Sequence, residues 1–184
     1  MDLILDIFNY TLTTILIGVC GAWIFLLKSM LGSFRLTPYL DKFENTSKTN
    51  PKVSIILPAR NEEEFIGKCL DSLLKQDYEN YEIIVIDDSS EDKTGEIISE
   101  YSKKYPKIIP VSARPKPDGW MGKNWACMEG YGKATGELLL FTDADTKHAE
   151  NVISLAVSHL NSFGLDALSA IPKMLTFDFW TNIT

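Results

Sequence analysis

Neither of the two glycine-rich phosphate loops occurs in this sequence. No GxGxxG follows the first apolar run of its polar portion, and no GxxxxGK[ST] is found anywhere. Their absence argues against a dinucleotide-dependent dehydrogenase and against a P-loop nucleotidase. Positive charge is scarce as well. Lys and Arg number 18 against 25 Asp and Glu, a formal net charge of -7, which is the wrong balance for a protein that grips a nucleic-acid backbone. A small nucleotide held by a metal and a few local donors stays compatible with it. Cysteine is limited to Cys20, Cys69 and Cys127, with no CxxC and no Cys/His spacing for zinc or a redox pair. Buried free thiols in a reducing compartment are the expectation. The basic start of a cleaved signal peptide is missing too: Asp2 and Asp6 lead, and no Lys or Arg precedes Lys28.

What is present first is a long apolar run. Ile7 to Leu27 is 21 residues without a charge, and about 20 such residues cross the hydrocarbon core of a bilayer as a helix. A retained anchor is therefore expected. Lys28, Arg35, Lys42, Lys48 and Lys52 all follow the run, so the positive-inside rule places the C-terminal side in the cytoplasm. Thr37 to Pro51 is polar and turn-rich and reads as a linker.

Beyond it, short apolar runs alternate with amphipathic stretches. Val53 to Leu57, ended by Pro58, reads as a buried strand. Phe65, Ile66, Cys69, Leu70, Leu73 and Leu74 recur at helical spacing and predict a helix from about Glu62. Further strands are expected at Tyr81 to Ile86, at Ile108 to Val111 (weaker), at Glu137 to Phe141 and at Ala167 to Ile171. Helices are expected around Ile97 to Tyr105, over Asn124 to Ala134 despite Gly130 and Gly132, and over Val152 to Leu160. This alternation predicts an α/β fold with a mostly parallel sheet and flanking helices.

The polar residues cluster where such a sheet binds ligands, outside the carboxyl ends of its strands. Pro58-Ala59-Arg60-Asn61-Glu62 follows the first strand, Asp87-Asp88-Ser89-Ser90 the second, the long loop Arg114 to Lys123 the third, and Asp143-Ala144-Asp145 the fourth. In extended chain, residues two apart project to one side. Asp143 and Asp145 would then offer hard oxygen ligands suited to Mg²⁺ or Mn²⁺ shared with substrate phosphates. An Asp ahead of a helix equally serves as its cap. Asp87 and Asp88 share that ambiguity: one is a candidate cap for the next helix, in rivalry with Ser89, Ser90 and Thr94, while the other is suited to accept hydrogen bonds from a base or ribose. Arg60 and Lys123 are the cations best placed to meet a diphosphate.

Three ordered motifs resemble family 2 glycosyltransferases of the GT-A fold: Val53 to Glu63 (VSIILPARNEE), Ile86 to Ser90 with Thr94, and Asp143-Ala144-Asp145. The stretch Gly119 to Ala126 (GWMGKNWA) resembles a membrane-anchored subgroup that acts on lipid-like acceptors. The resemblance implies that Pro58, Arg60 and Glu62 contact the nucleotide and that Asp88, with Asp87, meets the base or ribose. It also implies that Lys123 approaches the donor phosphates and that Asp143 and Asp145 hold the metal-diphosphate. The implied chemistry is displacement at the anomeric carbon of a nucleotide-diphosphate-sugar, with inversion, onto a lipid-like or membrane-associated acceptor, with Mg²⁺ or Mn²⁺ at the leaving group. The expected layout is an anchor over residues 1–31, a linker over 32–51 and a nucleotide-sugar-binding domain over 52–184. The acceptor half of related enzymes, which carries the general base, is expected to be missing, and Glu150, Asp166 and Asp178 match no motif for that base. A catalytically incomplete nucleotide-sugar-binding membrane subunit is the alternative. A nucleotidyltransferase fits less well, because Ala59-Arg60-Asn61-Glu62 stands where its glycine-rich basic loop would be.

Overall fold

The computed structural model describes residues 2–36, 40 and 50–172. The chain divides into two compact units, Met1–Lys42 and Phe43–Thr184.

The first unit is a single helix, α1 (Asp2–Leu36). It continues past residue 31, where the sequence suggested the anchor would end. Within it, Leu3–Ser33 is long and apolar enough to cross a membrane. Its threonine hydroxyls are satisfied internally: Thr11, Thr13 and Thr14 each donate at 2.8 Å to the carbonyl four residues back, which suits an environment without water. Cys20 is exposed on this helix instead of buried. Most of the expected linker lies outside the described residues.

In the second unit the elements are β1 (Val53–Ala59), α2 (Ile66–Leu74), β2 (Tyr81–Asp87), α3 (Thr94–Lys104), β3 (Ile108–Ser112), α4 (Gly122–Tyr131), β4 (Leu138–Phe141) and α5 (Val152–Phe163). The four strands form one parallel sheet in the order β3-β2-β1-β4. β1 and β2 are buried on both faces, which explains their near-continuous apolar sequence. Ile55, Leu57, Ile83 and Val85 point to one core, shared with Leu70 and Leu73 of α2, Ile98 of α3 and Ile153 of α5. Ile56, Ile84 and Ile86 point to the other, covered by Ala126 of α4. α4 comes close because its inner face is small: a Cβ on Gly130 would lie 2.6 Å from Ile86 Cδ1 and 2.9 Å from Ile56 Cγ2. Gly132 is the helix C-cap, so neither glycine conflicts with the expected helix.

Several boundaries differ from the sequence expectation. β1 runs through Pro58 to Ala59. In a parallel strand alternate residues face alternate neighbours, and Ile56 faces β4, accepting from Thr142 N–H at 3.2 Å. Pro58 therefore also faces that side, but β4 ends at Phe141 opposite Ile56, so no ladder bond is lost. By the same parity Pro110 of β3 faces away from β2, where it blunts the sheet edge. α2 begins at Ile66, after a turn in which the Phe65 and Ile66 N–H groups bond back to Glu62 O at 3.0 and 2.9 Å, while the N–H groups of Glu62 and Glu63 donate to Thr94 Oγ1 and Asp92 Oδ2. The expected strand at Ala167 to Ile171 does not form: Ile171 and its neighbours are exposed irregular chain after α5. α5 is stopped by Gly164 in the left-handed region (φ 60°), where the Leu165 N–H bonds back to Leu160 O at 2.9 Å.

At the amino ends of the strands lies a buried polar knot. Glu82 accepts from Ser54 Oγ at 2.6 Å, Lys52 Nζ at 2.6 Å and Thr135 N–H at 2.8 Å. Burial alone would raise its carboxyl. The hydrogen bonds from Lys52, Ser54 and Thr135 outweigh that and hold it down at about 2.

Candidate functional site

The strand order reverses between β2 and β4 on either side of β1, and such a switch point leaves a crevice outside the carboxyl ends of the strands. A cleft of about 330 Å³ lies there, lined by Pro58, Arg60, Glu62, Asp88, Lys123, Asp143 and Asp145, with Ala59, Gly122, Ala126 and Ala144 as its small floor residues. Seven of the eight residues singled out in the sequence thus share one cavity.

Asp87 is the eighth, and it lies outside the lining. Its Oδ1 accepts from Ser90 N–H at 3.0 Å and closes the β2–α3 turn, while its Oδ2 approaches Gly95 so closely that a Cβ there would sit at 2.9 Å. Capping of α3 falls instead to Asp92, whose Oδ1 takes the Thr94 N–H at 2.9 Å. Asp88 is free for the cleft, with Arg60 Nη1 3.9 Å from its Oδ2.

Two loops make this wall together. Asn61 sits in the left-handed region (φ 56°), which asparagine tolerates. Its N–H donates to Ser90 Oγ at 3.1 Å and its Oδ1 accepts from Glu91 N–H at 2.8 Å. Glu62 N–H donates to Thr94 Oγ1 at 2.8 Å, and Glu63 Oε2 accepts from Lys93 N–H at 3.0 Å. Burial, and then the carboxylates of Asp145, Asp92 and Asp143, push the Glu62 carboxyl above its ordinary range against the pull of Lys123.

The opposite wall comes from β4 and α4. Ala144 is buried in the core while Asp143 and Asp145 are exposed on either side of it, so both carboxylates line the cleft. They do so from a turn and not from extended chain: Thr146 N–H bonds Asp143 O at 3.3 Å. The Cys69 thiol donates to Asp143 O from below at 3.6 Å. Burial, then the carboxylates of Asp145, Asp143 and Glu62, push that thiol up to about 12, which keeps it inert. Lys123 projects from the first turn of α4, and its Nζ lies 2.6 Å from Asp143 Oδ1.

The long loop before α4 is held against the helix. Arg114 makes a two-pronged pair with Glu129 at 2.9 and 2.7 Å. Trp125 Nε1 donates to Arg114 O at 2.9 Å, and Trp120 meets Trp125 edge to face at 5.4 Å. Gly122 lets the helix start approach Asp88, since a Cβ there would be 3.3 Å from Asp88 Oδ2. Sequence reasoning missed Gly122, the Lys123–Asp143 pair and the Glu82 knot. Only the knot had a signal, two polar residues inside apolar strands.

The sequence model of glycosyl transferase family 2 matches residues 54–173. The chain belongs to that family. It is 34% identical over 142 residues to the probable glycosyltransferase YdaM of Bacillus subtilis, which covers 72% of this chain and 34% of the relative. It is 37% identical over 111 residues to the 4,4'-diaponeurosporenoate glycosyltransferase of Staphylococcus haemolyticus, covering 59% of this chain and 28% of that one. Among solved structures, the mannosyltransferase PcManGT from Pyrobaculum calidifontis, in complex with GDP-Man and Mn²⁺, superposes with a TM-score of 0.58 at 26% identity, covering 74% of this chain and 39% of the other. The fold is thus of the GT-A type. The chain spans about a third of the length of the curated relatives it matches.

Proposed function

We propose that this family 2 domain binds a nucleotide-diphosphate-sugar with a divalent metal and serves transfer of the sugar, with inversion, to a lipid-like or membrane-associated acceptor. The observation that carries this reading is the meeting of Pro58, Arg60, Glu62, Asp88, Lys123, Asp143 and Asp145 in one cleft at the switch point of the sheet.

The donor set suits Mg²⁺ or Mn²⁺. Asp143 and Asp145, flanking the buried Ala144, both supply hard oxygens to the cleft, and an ammonium already stands 2.6 Å from Asp143. Among the described residues no group of three or more His, Cys, Asp or Glu is placed to hold a metal, which fits an ion completed by donor phosphates and water. Bound there, the ion supplies positive charge to the leaving diphosphate. Arg60 offers the phosphates a guanidinium, 59% of whose side chain is exposed. Asp88 offers an acceptor for base or ribose.

An apolar acceptor is supported by Trp120 and Met121, which directly precede the cleft residue Gly122 and are exposed, as are Met128 and Tyr131 on the outward side of α4. The relative from Staphylococcus haemolyticus is named as a glycosyltransferase of 4,4'-diaponeurosporenoate. With α1 as a single-pass anchor, the basic flank from Lys28 onward supports a cytoplasmic position for the domain.

Titration calorimetry of the detergent-solubilised chain with UDP and GDP, with and without Mn²⁺, tests the reading. Affinity for one of them should depend on the metal and collapse on chelation, and Asp145→Ala should lose that dependence. Equal metal-dependent affinity in wild type and Asp145→Ala would return the aspartate motif to a structural role.

A further inference from the structure

The cleft is lined by four carboxylates (Glu62, Asp88, Asp143 and Asp145) and two cations, Arg60 and Lys123. Each cation stands by a carboxylate, Arg60 beside Asp88 at 3.9 Å and Lys123 on Asp143 at 2.6 Å. Two negative charges are left uncompensated by side chains, the amount one divalent ion carries. Lys123 already occupies Oδ1 of Asp143, an oxygen open to such an ion. Two cations crowded on one carboxylate repel, so the ammonium competes with the ion for it.

The backbone at Lys123 is not free to resolve the conflict. It sits in the first turn of α4, whose start is packed at Gly122 against Asp88 and whose body is seated on β1 and β2 through Ala126 and Gly130. Its side chain is free: 61% of it is exposed, as is 55% of that of Asp143, and the stem is a flexible four-carbon chain. The diphosphate of a donor bound in this cleft would offer it an alternative anion.

Resting on the metal reading above, we propose that Lys123 is an exchanging counter-ion. It neutralises Asp143 before the donor arrives, yields that oxygen to the divalent ion, and turns to the diphosphate. Metal and nucleotide binding are then coupled through one side chain. A fixed phosphate-binding lysine or a fixed structural ion pair would each lack one half of this behaviour. Since linkage is reciprocal, the nucleotide must raise metal affinity by the same factor as metal raises nucleotide affinity.

The test is removal of the ammonium. Mn²⁺ binding is measured on the full chain by the electron-paramagnetic signal of free Mn²⁺, alone and with UDP or GDP, in wild type, Lys123→Met and Asp145→Ala. Lys123→Met should bind Mn²⁺ alone about two- to fivefold more tightly, the range for loss of a partly exposed competing charge. Its nucleotide affinity at saturating Mn²⁺ should fall about tenfold, the range for a lost charge-assisted contact. Opposite signs from one substitution are the signature. Unchanged or weaker binding of Mn²⁺ alone in Lys123→Met overturns the exchange. If wild type binds Mn²⁺ in an Asp145-dependent manner while Lys123→Met is no tighter, only the exchange fails. If wild type shows no Mn²⁺ binding with or without nucleotide, and Lys123→Met shows none either, the metal reading fails with it. Should Lys123→Met melt early, Lys123→Gln, which keeps length and polarity, carries the same expectations.

Discussion

Asp87 and Asp88 are adjacent in the chain and opposite in direction, and the difference is measurable. Asp87→Ala removes the acceptor for Ser90 N–H, so the β2–α3 turn should loosen and stability fall by about 1 kcal/mol, the usual loss for one such bond. Asp88→Asn keeps the shape but removes the charge facing the cleft. It should weaken nucleotide binding about tenfold with the melting temperature nearly unchanged. If Asp88→Asn melts early and binds normally, the two roles have been assigned the wrong way round. The residue types of this site were legible in the sequence because most of them stand at or just after the carboxyl end of a strand. The partition between the two aspartates was not, because it depends on where Ser90 N–H and Gly95 lie after the loop folds.

At the level of elements, β1 is the member on which the others depend, flanked by β2 and β4 and packed on both faces. The knot at its amino end gives a pH signature. The Glu82 carboxyl is held at about 2 in the folded chain and returns to about 4.3 when unfolded. A depressed folded value stabilises above the unfolded one, and that share is lost as pH falls from about 4.3 toward 2. Urea midpoints should show Glu82→Gln less stable by about 1–3 kcal/mol near neutrality. The gap to wild type should narrow at about pH 3. A gap independent of pH would mean that shape and not charge holds the knot. α4 gives a second prediction. Gly130→Ala would force a methyl into Ile86 and Ile56, at a cost of about 1–3 kcal/mol for overpacking, offset by at most about 1 from helix propensity. A net loss is expected, together with weaker nucleotide binding as Lys123 shifts. The four sheet strands and their helices were readable from apolar runs. The start of α2 was not, because the residues ahead of it, Glu62 and Glu63, are tied through their N–H groups to side chains of the next loop, a long-range fact that no local periodicity records. The exposed run Ala167 to Ile171 misled in the other direction, having strand composition without a strand to pair with.

For the whole molecule, the governing contrast is between α1, whose apolar side chains from Leu3 to Leu31 are exposed, and a domain with a buried apolar core. The full chain should sediment with membranes and resist carbonate extraction, and the domain after Asn50 should be protected from external protease in intact cells. Cleavage from outside between Thr37 and Pro51 would reverse the orientation. Within the domain, the hydrogen bonds of Asn61, Glu62 and Glu63 to the segment Ser90 to Thr94 bear on how such a protein can be recombined. Segments thirty residues apart behave as one heritable part, since either inherited alone leaves backbone groups of the other without their partners. A crossover placed within α2 or β2 would join mismatched halves of the nucleotide wall. One placed after Lys104 would pass the wall on intact and leave the aspartate pair and Lys123 to be exchanged as a second, separate cassette.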